Sequence, residues 1–106
     1  SRANKDGLQE DAIEIKIKEG DKTKTINGTG NGPIDAMIDA LSKDLDLEIK
    51  IADYHQHAIS SGSDAKAVAY SEISYKNQSV WGVGIHQNTV IAGLGSVING
   101  LNRLSI

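Results

Sequence analysis

Three groups of residues in this sequence have types and spacings that could do chemistry. The first is the run TINGTGNGPIDAMIDAL, residues 25–41, where Gly28, Gly30 and Gly32 leave the backbone bare just ahead of Pro33. The second is VWGVGIHQNTV, residues 80–90, where Gly82 and Gly84 again precede an apolar-periodic segment. The third is Asp53, His55 and His57, alternate residues of an extended run whose side chains would share one face, a spacing a metal ion could use. A strand that enters a helix through glycines presents free backbone N–H groups at the positive end of the helix dipole, where a carboxylate or phosphate is favoured. The same glycines also serve a strand and a helix that merely pack closely, with no ligand involved.

Spacing removes the nucleotide readings. A dinucleotide fingerprint needs a third glycine at position 33, which is Pro, and a phosphate loop needs Gly-Lys-Ser/Thr, which is absent. With no Cys there is no thiolate metal site and no disulfide framework. Serines are plentiful, but none sits in a strained elbow motif, and no Ser/His/Asp arrangement can be argued. The histidine pair fits hydrogen-bonded structural groups better than a metal site. Trp81, inside a strand, is expected in the core or at a dimer contact. The stretch KDLDLE is a solvated helix end.

The elements that must position these residues follow from periodicity. AIEIKIKEG alternates Ile13, Ile15 and Ile17 with Glu14, Lys16 and Lys18, as a strand with one wet face does. EGDK turns the chain and KTKTI resumes an extended strand, making a hairpin. Asn31 or Gly32 caps a helix with Pro33 at its first position, and Ile34, Met37, Ile38, Leu41 and Leu45 form its apolar stripe. LEIKIADYHQHAI alternates again, with Leu47, Ile49, Ile51, Asp53, His55 and His57 on one parity. AKAVAYSEISY and SVWGVGI follow as strands around a turn at Lys76 and Asn77. The last segment is a helix with Val90, Ile91, Leu94, Val97, Ile98, Leu101 and Leu104 on its buried side. Its glycines at 93, 95 and 100 are tolerable only where another backbone packs closely.

Both glycine-rich segments share the plan strand, Gly-x-Gly, loop, helix, so the chain contains a repeat. Gly28 and Gly30 align on Gly82 and Gly84. The second copy reads strand, strand, strand, helix, whereas the first lacks its opening strand, because SRANKDGLQE is short and polar. The expected architecture is α+β: two pseudo-symmetric βββα units within one domain, with a truncated leader at 1–11, a first unit at 12–45 and a second at 46–106. The sequence reads as a piece of something longer.

With Gly30-Asn31-Gly32-Pro33, ADYHQHAISSGSDAKAVAY and VWGVGIHQNTVIAGLGSVINGLNR in view, the chain resembles the C-terminal regulatory domain of α-isopropylmalate synthases from about residue 12 to 104. The resemblance implies two βββα units that bind L-leucine, form a homodimer and inhibit a catalytic TIM barrel elsewhere in the same chain. That barrel condenses acetyl-CoA with 2-oxoisovalerate and uses a divalent metal. None of its motifs occurs here, so this chain is expected to be non-catalytic and to need no cofactor of its own. Carried over by motif, the effector site comprises Gly30, Gly32 and Ile34; Ile51, Tyr54, Ala58 and Ala65; and Ile85, His86 and Gln87. Citramalate synthases carry a related domain that answers to isoleucine. A plain dimerisation module is the remaining alternative.

Composition bounds the rest. A length of 106 residues suits one small domain, and the net charge of −3 with scattered Lys and Arg gives no reason to expect nucleic acid or an anionic membrane. No apolar run reaches the roughly 18 residues of a membrane span, and the expected setting is cytoplasmic. With no Phe, one Trp and three Tyr, the core must be aliphatic.

Overall fold

The computed structural model describes residues 2–3, 9–60 and 62–104. It divides into two units, Ser1–Leu47 and Glu48–Ile106. In the first, β2 (Gln9–Glu19) and β3 (Lys22–Gly30) form a hairpin whose pairing runs from Glu19↔Lys22 to Asp11↔Gly30. Its two-residue loop places Gly20 at φ +60°, the conformation such hairpins demand and glycine supplies. Ile13, Ile15 and Ile17 face the same side as Ile26 and Gly28, and α1 (Pro33–Leu45) covers that side. Ile26, Ala36, Met37, Ala40 and Leu41 are buried there. Gly32 is the N-cap, with Pro33 following at the first helical position, where its missing N–H costs nothing.

The leader does contribute a strand, contrary to expectation. β1 (Arg2–Ala3) pairs antiparallel with the start of β2, Arg2 opposite Glu10, and completes a sheet of order β1-β2-β3. Polarity is no obstacle to so short a strand, since pairing uses backbone groups. The rest of the leader, residues 1 and 4–8, lies outside the described residues, as does Ser61 of the long turn.

The second unit repeats the plan with β4 (Ile49–Ala58), β5 (Ala67–Tyr75), β6 (Gln78–His86) and α2 (Thr89–Leu101), its sheet ordered β4-β5-β6. Two sequence expectations fail here, each for a physical reason. The register of β4 shifts between Ile51 and Asp53. A bulge at this point flips the side-chain alternation, so Tyr54, not Asp53, continues the face of Ile49 and Ile51 towards α2. Asp53, His55 and His57 still share a face with one another, but it is the opposite one.

The second failure concerns α2. The residues it buries are Ala92, Gly93, Ser96, Val97 and Gly100, while Val90, Ile91 and Ile98 are exposed. A Cβ at Gly82 would collide with the carbonyl oxygen of Ser96, and one at Gly84 with that of Ala92. Helix and strand therefore meet backbone to backbone, which admits only small side chains at the seam and turns Val90, Ile91 and Ile98 outward, while Val97 and Leu104 are buried as expected. This is the close backbone that the helical glycines require. Ser71 and Ser96, both fully buried, satisfy each other across the seam at 2.6 Å, and Ser96 also meets the Gly93 carbonyl at 2.6 Å. In α1, likewise, Leu45 of the expected stripe is exposed and the small Ala36 and Ala40 lie at the seam.

The repeat has a different register from the one the glycines alone imply. β3 and β6 start at Lys22 and Gln78, α1 and α2 at Pro33 and Thr89, and the positive-φ turn residues are Gly20 and Lys76, a constant offset of 56 residues. A Cβ at Gly28 would lie 2.5 Å from the Ala40 amide nitrogen, and one at Gly84 would lie 2.6 Å from that of Ser96. Gly28 thus corresponds to Gly84, Ile26 to Gly82, and Gly30 and Gly32 to His86 and Asn88. Among the described residues no helix is long and apolar enough to cross a membrane.

Candidate functional site: the start of the first helix

Three of the residues carried over from the motif meet at the β3–α1 junction. Gly30 ends β3 against the first turn of α1, where a Cβ would lie 2.7 Å from Asp35 Cβ and 2.8 Å from the Ala36 amide nitrogen. Gly32, extended at φ −173°, has nothing within 4 Å of a Cβ position, so the space beside it is open. Ile34 is half-buried on the first turn. The Gly32 carbonyl accepts the Ala36 N–H at 2.9 Å and starts the helical ladder. The preceding amides, those of Ile34 and Asp35, belong to the first turn and have no intrahelical acceptor. Glycine brings no side chain to cap them. Asp35 places a negative charge in the same turn.

The matching junction of the second unit is closed by its own side chains. Asn88 Oδ1 accepts the Ile91 N–H at 3.0 Å, and His86 Nδ1 accepts the Asn88 N–H at 2.9 Å. His86 and Asn88 stand at the positions of Gly30 and Gly32. The picture of two equivalent open junctions is therefore corrected to one open and one capped. An Asn just before an apolar-periodic segment is the usual N-cap signal, and it was present in the sequence at Asn88.

The other expected site residues lie in the second unit, on two faces of its sheet. Ile51 and Tyr54 line the α2 side of β4, with Ala58 at its end. Tyr54 packs on the small cluster Ala67, Ala69 and Ala92, and this burial raises its phenol pKa. Gln56, on the same face, donates from Nε2 to the Thr89 carbonyl at 2.8 Å and ties β4 to the start of α2. Ala65 precedes β5, its N–H bonded to the Gly62 carbonyl at 3.2 Å. Ile85, paired with Val68, points to the opposite face from Tyr54, and Gln87 is exposed in the turn. Surface hollows at Glu19–Lys24, at Thr25–Asn27 with Asp44, and at Glu48 with Lys76 take in none of these ten residues.

Asp53 and His55 are paired at 3.0 Å, the His55 ring stacks on Trp81, and His57 meets Tyr70 edge-on. Among the described residues no group of three or more His, Cys, Asp or Glu is placed to hold a metal ion.

Fold and site define an α+β module of paired βββα repeats in which one helix start is left open. The chain belongs to the LeuA allosteric (dimerisation) domain family, which it matches over residues 2–105. It is 44% identical over 92 residues to the 2-isopropylmalate synthase of Brucella suis, covering 87% of this chain and 17% of that protein. The enzyme of the same name from Rhodospirillum rubrum is 41% identical over 106 residues, 99% of this chain and 19% of the relative. That of Schizosaccharomyces pombe is 45% identical over 80 residues, 76% and 14%. The chain spans about a sixth of the length of the curated relatives it matches.

Proposed function

We propose that the chain is the regulatory domain of a 2-isopropylmalate synthase, both units together forming one domain that binds L-leucine, dimerises and conveys feedback inhibition to the catalytic barrel. The parent activity, condensation of acetyl-CoA with 2-oxoisovalerate on a divalent metal, belongs to that barrel. The observation that carries the leucine reading is the uncapped start of α1. Two first-turn amides, reached past Gly30 and Gly32, suit a carboxylate. Asp35 in the same turn disfavours a simple anion and offers a partner to an ammonium, which together fit an amino-acid zwitterion. Ile34 supplies an apolar neighbour, and the resemblance adds Ile51, Tyr54, Ala58, Ala65, Ile85, His86 and Gln87 as proposed effector-binding positions of the second unit. Inhibition then follows by linkage. Leucine shifts the enzyme only as far as it prefers one arrangement of domain and barrel over another, a coupling typically of ~1–3 kcal/mol.

Titration calorimetry with leucine, isoleucine and valine tests this. Saturable binding with leucine preferred is expected. A preference for isoleucine would favour a citramalate-synthase-type sensor. No heat with any of the three, from chain shown to be folded, would leave only the dimerisation module.

A further inference from the structure

We propose that Asn31 is a modification site, where the chain converts its own side-chain amide to a carboxylate beside the open helix start. In an Asn-Gly pair the glycine nitrogen, shielded by no side chain, attacks the asparagine side-chain carbonyl carbon. A bond forms between that nitrogen and Cγ, and the Cγ–Nδ2 bond breaks. The departing amide takes up the glycine N–H proton and leaves as ammonia, closing a succinimide ring. Water then opens the ring at either carbonyl. One opening gives aspartate, the other isoaspartate, whose main chain runs through the former side chain.

The sequence holds three such pairs, Asn27-Gly28, Asn31-Gly32 and Asn99-Gly100. All three asparagines are exposed, so solvent does not choose between them; the backbone does. Attack requires the asparagine backbone to turn and the glycine N–H to leave any ladder it belongs to. Asn27 and Gly28 lie within β3, paired with Glu14 and Ile13. Thr29 turns its N–H outward to Asp39, so that of Gly28, one residue earlier, faces β2. Asn99 and Gly100 lie inside α2, with Asn99 Oδ1 held by the Val83 N–H at 2.9 Å and Gly100 packed on Ile73. Asn31 and Gly32 belong to neither ladder, because β3 ends at Gly30 and α1 starts at Pro33. Gly32 has nothing within 4 Å of a Cβ position, which leaves room for the ring. Among the described residues the Asn31 side chain makes no hydrogen bond that would hold it back.

The second unit carries no counterpart. Gln87 stands at the place of Asn31, and its longer side chain would have to close a larger ring onto Asn88, whose nitrogen is shielded by a side chain. The product at Asn31 puts a carboxylate just ahead of the first turn of α1, where the helix dipole favours negative charge. There it competes with any carboxylate bound at the same amides, and isoaspartate also lengthens the main chain into the helix. This consequence rests on the leucine reading above; the conversion itself does not. Because ammonia is lost, the step runs one way and marks the age of the chain.

Ageing the folded chain, and the chain unfolded in urea, in mildly alkaline buffer tests the proposal by tryptic peptide mass mapping. In urea all three asparagines should convert. In the folded chain the mass gain of an amide-to-acid exchange should appear at Asn31 at least about tenfold faster than at Asn27 or Asn99, which must first open locally. Fragmentation of the peptide 25–43 separates Asn31 from Asn27, and Asn31→Gln should remove the fast conversion. An Asn31 that stays intact in the folded chain, or converts no faster than the other two, overturns the proposal. Calorimetry on Asn31→Asp reads the consequence: leucine affinity should fall by about two- to fivefold. Unchanged affinity overturns that consequence and spares the site. A fresh wild-type chain that binds no leucine overturns the leucine reading, while the mass map still decides the modification.

Discussion

The two βββα units place strands, turn and helix at the same 56-residue offset, yet they use equivalent positions in opposite ways. Where the first has Gly30 and Gly32, the second has His86 and Asn88, whose side chains cap their own helix. Where the first has a polar outer sheet, the second exposes Trp81, Val83 and Ile85. The core shifts as well. Ile15 and Ala40 in the first unit are matched by the buried Ser71–Ser96 pair in the second. What the units keep in common is the glycine that lets helix touch strand, Gly28 in one and Gly84 in the other. The comparison teaches that the close helix–strand seam is the constraint of the fold, and that the helix start and the outer sheet face are free to diverge.

The largest effect expected from breaking this comparison is at the seam. Gly28→Ala and Gly84→Ala should each cost about 3 kcal/mol or more, because the new methyl meets helix backbone that no rotamer change can move. Urea unfolding followed by circular dichroism would show it. A mild effect at one glycine beside a severe one at the other would undo their equivalence.

A smaller effect, of opposite sign, is expected at the helix start. Gly32→Asp should give α1 the kind of cap that Asn88 gives α2, raising stability by about 1 kcal/mol. It should also occupy the first-turn amides and put a negative charge where a carboxylate would sit, so leucine affinity should fall by more than about tenfold. Unfolding and calorimetry on the same variant read both. Unchanged stability would mean that the missing cap is not what separates the two junctions.

The smallest effect is one of pH. Asp39 Oδ2 accepts the Thr29 N–H at 2.9 Å at the edge of β3 and pairs with Lys43 at 3.1 Å. The backbone hydrogen bond first, and then the lysine, hold its carboxyl below the ordinary carboxylate pKa. The contact therefore stabilises the fold above that ordinary value and is lost as pH falls through the lowered one. In the second unit the amide of Asn99 does the comparable work on Val83 and does not titrate. Amide-proton shifts between pH 5 and 2 should thus move at Thr29 and stay level at Val83, and Asp39→Asn should flatten the Thr29 curve.

Much of the fold could be read in advance because its signals are local. Alternation of Ile13, Ile15 and Ile17 marks a strand with two residues per period, Pro33 behind a glycine marks a helix start, and EGDK marks a tight turn. Each depends on neighbours a few residues away. Family resemblance likewise rests on contiguous motifs. At the bulge around Ala52 the apolar residues change parity, from Ile49 and Ile51 to Tyr54, but only pairing with β5 fixes the slip in register. At the candidate site the glycines were visible, and so was the Asn88 cap signal that separates the capped junction from the open one.

By itself, then, the amino-acid sequence determined that this protein has two strand-and-helix repeats, each with glycines ahead of its helix, and which family it resembles. Tertiary structure alone decided the repeat register and the face α2 buries. The physical reason is distance along the chain. Periodicity and turn chemistry act over a few residues, whereas these outcomes depend on where a Cβ would strike backbone more than ten residues away, as at Gly28 against Ala40 and Gly84 against Ser96.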